Sequence, residues 1–220
     1  IVASVSCIYG LGAPEDYFSM MLYVESGDKI TRDEVIRRLI EMQYKRVDIE
    51  FVRGTFRVRG EIIDIFPSDQ DEAAFRLQFF GDVIEEIREV DSISGATLKK
   101  LDRAAVYPIS HYVTGRDSVV RAMKTIKIEL KERLKELEKA GKTLEAQRLE
   151  QRTLYDVELL HEIGFCPGIE NYSRHITGRE AGEPPATLLD YFPDNFIVVI
   201  DESHVTVSQL GGMYRGDRAR

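Results

Sequence analysis

The sequence predicts a mixed fold, α/β and α+β, in which an antiparallel α+β module is followed by a helical hairpin and then by a return to an apolar strand. Three observations predict it. Between residues 47 and 110, strand-like runs alternate with glycine-rich turns; from 115 to 164 the apolar residues repeat every three or four positions; and VVIDESHV at 198–205 is an apolar run that ends in two adjacent carboxylates. At 220 residues the chain can bury the core of one to two domains, and with 43 % hydrophobic and 31 % charged residues it reads as globular and charge-rich.

Taken in order, residues 1–18 open with an apolar strand pattern, Ile1 to Ile8, broken by Gly10, Gly12 and Pro14. In 19–114, Thr31 precedes RDEVIRRLIEMQY with Glu34 three positions on, a capping-box signature, and Val35, Leu39 and Met42 fall at helical spacing. Strands are expected at VDIEFV, TFRVRGEIIDIFP, FRLQFFGDVIEEIREVD and AAVYPIS. Gly54, Ser68 to Asp71 and Gly81-Asp82 separate them, and the last pair is a tight hairpin turn. In 115–164, Val119, Met123, Ile126, Leu130, Leu134 and Leu137 mark one helix, and Leu144 to Ile163 a second after Ala140-Gly141-Lys142, forming a helical hairpin. The end, 165–220, is loop-rich up to Pro184-Pro185 and then returns to an apolar strand over Phe196–Ile200.

Composition narrows the function. Thirty Lys and Arg against 38 Asp and Glu give a net charge of −8, which argues against a broad nucleic-acid footprint on this chain. No apolar run reaches the roughly 20 residues of a membrane helix, and IVASVSCIYG has no signal-peptide pattern. A start without Met and an end at DRAR read as a piece of a longer protein. Cys7 and Cys166 lie far apart in no metal-ligand spacing, which favours a reducing, cytoplasmic setting and two buried thiols.

VVIDESHV resembles half of an ATPase site: Asp201 would order the water shell of magnesium, Glu202 would polarise the attacking water, and Ser203 and His204 would couple hydrolysis to movement. Its plain alternative is a solvated strand end. The other half should be G-x-x-x-x-G-K-S/T. The one approach to it, Gly141-Lys142-Thr143, has Glu136 at the first glycine and follows the charged helix KERLKELEKA, so it reads as a turn. In TFRVRG, strand alternation puts Phe56 and Val58 on one face and Arg57 and Arg59 on the other. Arginine forks suit a partner's carboxylates; the alternative is local pairing with Asp48, Glu50 or Glu61. His175 and His204 are not at metal-ligand spacing, and Tyr9, Tyr17 and Tyr23 read as core or strand-edge residues.

VASVSCIYGLG, FVRGTFRVRG, EAQRLEQRTLYDVELLHEIGFCPGIENYSRH, LLDYFPDNF and DESHVTVSQLGGMYRGDRAR together resemble the UvrB family, the helicase-like ATPases of the bacterial excinuclease ABC system. The resemblance covers essentially the whole chain. It implies a fragment of a P-loop helicase-like motor domain: 1–18 and 185–220 as motor segments, 19–114 as an inserted UvrA-binding domain and 115–184 as a helical insertion beside the DNA path. The phosphate loop would precede Ile1, so ATP and Mg belong to the intact protein, none is expected on this piece, and the piece alone is expected to be inactive. Arg46 joins Arg57 and Arg59 as a position the resemblance marks for UvrA contact. Arg152 becomes a DNA-facing candidate, with pairing to Glu145 or Asp156 as the alternative, and Tyr172, Arg174 and His175 either line the DNA path or hold their loop by hydrogen bonds. DNA and UvrC are implied partners of the intact protein. Two other readings stay open: the UvrA-binding adaptor of a transcription-repair coupling factor, and an unrelated helicase that would explain DESH but not FVRGTFRVRG.

Overall fold

The computed structural model describes residues 1–5, 8, 11–110 and 115–218. Cys7, Tyr9 and Gly10, which figured in the expectations above, lie outside the described residues. The chain divides into two compact units, one of Glu15–Val113 and one of Ile1–Pro14 with Thr114–Arg220.

The first unit is α+β. A six-stranded sheet runs in sequence order through Lys45–Arg46 (β2), Thr55–Arg59 (β3), Ile62–Phe66 (β4), Ala73–Phe80 (β5), Val83–Asp91 (β6) and Thr97–Leu101 (β7). All neighbours are antiparallel except β2 and β3, and a separate antiparallel pair joins Leu22–Glu25 (β1) to Arg103–Val106 (β8). Phe80 and Val83 close the β5–β6 hairpin around Gly81, whose φ of +59° is a conformation glycine adopts without strain.

A short helix, Pro14–Ser19 (α1), spans the unit boundary, and Arg32–Glu41 (α2) supplies the other layer. Thr31 starts α2 because its Oγ1 accepts from the Glu34 backbone N at 3.1 Å, satisfying a donor that has no carbonyl partner in the first turn. Val35, Leu39 and Met42 then bury completely against Leu22, Phe56, Ile63, Ile65, Leu77 and Ile87. Each of these side chains stabilises the unit by about 2 kcal/mol through burial alone.

VDIEFV is a correction: residues 47–52 form no strand. The Val47 N to Phe56 O bond, 2.9 Å, is the last rung of the parallel β2–β3 ladder. Adjacent parallel strands require the chain to travel back along the sheet before pairing resumes. Residues 47–54 are that return path, with Ile49 and Val52 exposed.

The second unit is helical at its centre. Arg116–Lys139 (α3) and Thr143–Ile163 (α4) pack as a hairpin across the turn at Gly141, φ +72°. Val119, Ala122, Ile126 and Leu130 are buried on α3; Ala146, Val157 and Leu160 are buried on α4. Gly164 ends α4 in the left-handed conformation, and Ser173–Thr177 (α5) packs against α3. The N-terminal segment is tied to the C-terminal one by Leu188 N to Ile8 O and Tyr191 Oη to Gly12 O, both 2.9 Å. Ser203–Arg218 (α6) follows.

Two further expectations are corrected. Phe196–Ile200 forms no strand, with Ile197 and Val199 about nine-tenths exposed at 91 % and 88 %. Nor do residues 1–5 and 8 of the Ile1–Ile8 run form a strand. Apolar runs of this kind become strands only where neighbouring backbone completes the ladder, and neither run pairs with a described strand.

Candidate functional site

The face of the six-stranded sheet turned away from α2 carries the chemistry. Alternation along β3 sends Phe56 into the core, with no exposed surface, and places Arg57 on the opposite face. Register then aligns Arg57, Asp64, Arg76, Arg88 and Lys100 as one row across β3 to β7.

Asp64 is the centre of that row. Its side chain is 2 % exposed and is gripped from both sides: Arg57 Nε donates to Oδ2 at 2.9 Å, Arg76 Nε to Oδ1 at 2.6 Å and Arg76 Nη2 to Oδ2 at 3.1 Å. Burial alone raises the carboxyl pKa, but the hydrogen bonds and charges of Arg76 and Arg57 outweigh it and hold the group below its ordinary value. The Arg57 guanidinium also lies 4.2 Å above the Phe51 ring, which packs on Phe66. Farther along, Glu86 is bound by Arg88 and by Lys100 at 3.1 Å.

The three arginines predicted for partner contact therefore differ. Arg46 and Arg59 are exposed and form no ion pair among the described residues. Arg57 is largely covered, at 14 %, and paired. Its partner is none of Asp48, Glu50 or Glu61, the last of which lies near Arg32 instead. On β2, Arg46 is level with Phe56 and so one residue out of phase with the other two, although its strand adjoins theirs. Asp64 was missed by sequence reasoning. The available signal was a lone carboxylate inside the apolar run IIDIF.

Asp201, Glu202, Ser203 and His204 sit where α6 begins. Glu202 O accepts from Val205 N at 2.9 Å and Thr206 N at 3.0 Å, Asp201 Oδ1 accepts from Glu202 N at 2.9 Å, and Glu202 lies 3.4 Å from His204. Both carboxylates are exposed at the positive end of the helix. No three potential metal ligands cluster among the described residues, and Gly141-Lys142 is the turn between α3 and α4.

In the helical unit, Arg152 Nε approaches Asp156 Oδ2 at 3.9 Å, and its side chain is 68 % exposed. Tyr172 Oη donates to the same buried carboxylate at 2.7 Å. Burial and this bond push the phenol pKa up. His175 bridges to α3, with Nδ1 2.9 Å from Thr125 Oγ1 and Nε2 2.5 Å from Glu129, which also binds Arg174 at 2.5 Å. Burial lowers the imidazole pKa despite Glu129. Tyr172, Arg174 and His175 thus hold their loop by hydrogen bonds. Arg121, Glu129, Arg174, His175 and Arg179 line a cleft of about 690 Å³ beside them. Tyr17 stacks on Tyr107, with centroids 6.1 Å apart, and Tyr23 is a partly exposed strand residue.

Residues 22–112 match the family model described as the UvrB interaction domain, and 117–178 match the UvrB third helical domain. Proteins described as UvrABC system protein B align along all of this chain. That of Halalkalibacterium halodurans is 56 % identical over 220 residues, covering 100 % of this chain and 33 % of the relative. Those of Bacillus licheniformis and Bordetella petrii are 58 % and 59 % identical with the same coverage. The chain spans about a third of the length of these relatives. No described helix is long and apolar enough to cross a membrane. With both domains matched and more than half of its residues shared with each of these relatives, the chain belongs to the UvrB family, of which it carries the interaction domain and the third helical domain.

Proposed function

We propose that this chain is the UvrA-docking part of a UvrABC-type nucleotide excision repair protein, and that Arg46, Arg57 and Arg59 form its docking corner. The observation that carries the reading is the exposure of Arg59 on the same strand face as the held Arg57, with Arg46 exposed on the adjoining strand, all within the segment matched as an interaction domain. Guanidinium forks recognise carboxylates with two parallel bonds, so the complementary surface is acidic.

Arg152 is the candidate for DNA contact, because its guanidinium stays in solvent although it approaches Asp156. In a chain of the relatives' full length, Asp201 and Glu202 would serve ATP with Mg, Ser203 and His204 would relay movement, and DNA and UvrC would be further partners. The identity of the relatives favours this reading over a coupling-factor adaptor, since the match continues through DESHVTVSQLGGMYRGDRAR.

Calorimetric titration of this chain with purified UvrA tests the docking reading. Binding that is lost on Arg57→Ala/Arg59→Ala, with circular dichroism unchanged, supports it. Equal binding by parent and double variant removes it.

A further inference from the structure

We infer that Asp64 and Phe51 are positioning residues that hold Arg57 as a preformed fork for a carboxylate on the docking partner; this rests on the docking reading above. The bond from Asp64 is made to one particular nitrogen. Oδ2 takes the inner Nε of Arg57 at 2.9 Å, and the Phe51 ring, 4.2 Å from the guanidinium carbon, covers one face of the plane. These two contacts fix the position and the tilt of the guanidinium. They leave the outer edge unused: neither Nη of Arg57 donates to a described residue, and neither is a buried donor lacking a partner, so both reach solvent.

Asp64 is itself fixed. Arg76 occupies Oδ1 through Nε at 2.6 Å and shares Oδ2 through Nη2 at 3.1 Å, and the strand backbone around it is paired on both sides. A flexible arginine loses about 0.5–1.5 kcal/mol of side-chain freedom when a partner immobilises it. At Arg57 that ordering is complete before the partner arrives. Arg59 on the same strand is exposed and unpaired among the described residues and lacks this device. Lysine cannot replace Arg57, because a single ammonium cannot bind Asp64 and fork onto a second carboxylate.

The experiment is a double-mutant cycle on the full 220-residue chain, with UvrA as the probe. Arg57→Ala, Asp64→Asn, Phe51→Leu and the two doubles containing Arg57→Ala are titrated, with circular dichroism of each. The expected result is about tenfold weaker binding for Asp64→Asn and for Phe51→Leu, with neither substitution adding a further loss in the Arg57→Ala background. A merely structural role for Asp64 or Phe51 predicts the same loss in both backgrounds and overturns the proposal. If Asp64→Asn does not fold, the Phe51→Leu cycle decides alone. Arg57→Ala binding like the parent removes the docking role of Arg57 and this proposal with it. Loss in Arg57→Ala without loss in the two positioning variants leaves the docking reading standing and overturns only this one.

Discussion

Asp64→Ala should destabilise the α+β unit more than almost any other single substitution of a charged residue there. The side chain is 2 % exposed and neutralises Arg57 and Arg76, which are themselves only 14 % and 21 % exposed. Removing one member of a buried ion pair costs about 3–5 kcal/mol, because the remaining charge is stranded. Here the two guanidiniums keep some contact with water, so about 2–4 kcal/mol is the expected loss. For a unit of roughly 100 residues that corresponds to a melting temperature lower by about 10–30 °C. Because the chain has two units, the measurement should be local: hydrogen exchange of peptides covering β3 to β6, read beside a calorimetric melt. Replacing Arg57, Asp64 and Arg76 together by apolar residues should restore much of the loss, since no unpaired charge then remains. A loss below about 0.5 kcal/mol for Asp64→Ala would refute the account, showing that water already carries the two arginines. The same carboxyl gives a pH signature. Its pKa is lowered on folding, so its contribution is present above the unfolded value of 3.8 and is lost as pH falls through the folded one.

Other expectations follow from single sites. His175 has a pKa lowered by burial, so the helical unit should lose stability as pH falls below about 6.5, and His175→Gln should flatten the helix-monitored melting temperature between roughly pH 5 and 7. The Cys166 thiol is fully buried and its pKa is pushed up to about 11, so alkylation at that residue, followed by peptide mass spectrometry, should be negligible at pH 8 until the unit is unfolded. Gly81→Val at φ +59° should cost about 1–2 kcal/mol in a denaturant titration, through backbone strain alone, since no atom lies within 4 Å of the added Cβ.

Where periodicity dominates, the elements were legible from the residues alone. Val35, Leu39 and Met42 mark the buried stripe of α2, Thr31 marks its start, and the spacing from Val119 to Leu130 marks the buried face of α3. Gly81 announces its hairpin, because the turn asks for a conformation that side chains resist. Strand-like apolar runs were less reliable. VDIEFV and Phe196–Ile200 have the composition of strands, yet the first is consumed as the return path between two parallel strands and the second pairs with no described strand.

At the docking face the sequence by itself determined which residue types share a face: β3 alternates, so Arg57 and Arg59 oppose Phe56. Only the tertiary structure decided that Arg57 and Arg59 are different objects. A residue's partners across a sheet depend on the register of its strands: the β3–β4 ladder sets Asp64 opposite Arg57, and the β4–β5 ladder sets Arg76 opposite Asp64. Alternation fixes the face of each side chain, but which residue stands opposite which is decided by the pairing itself. The charge state of the buried Asp64, and the direction in which the Arg57 fork points, are settled by pairing and burial together.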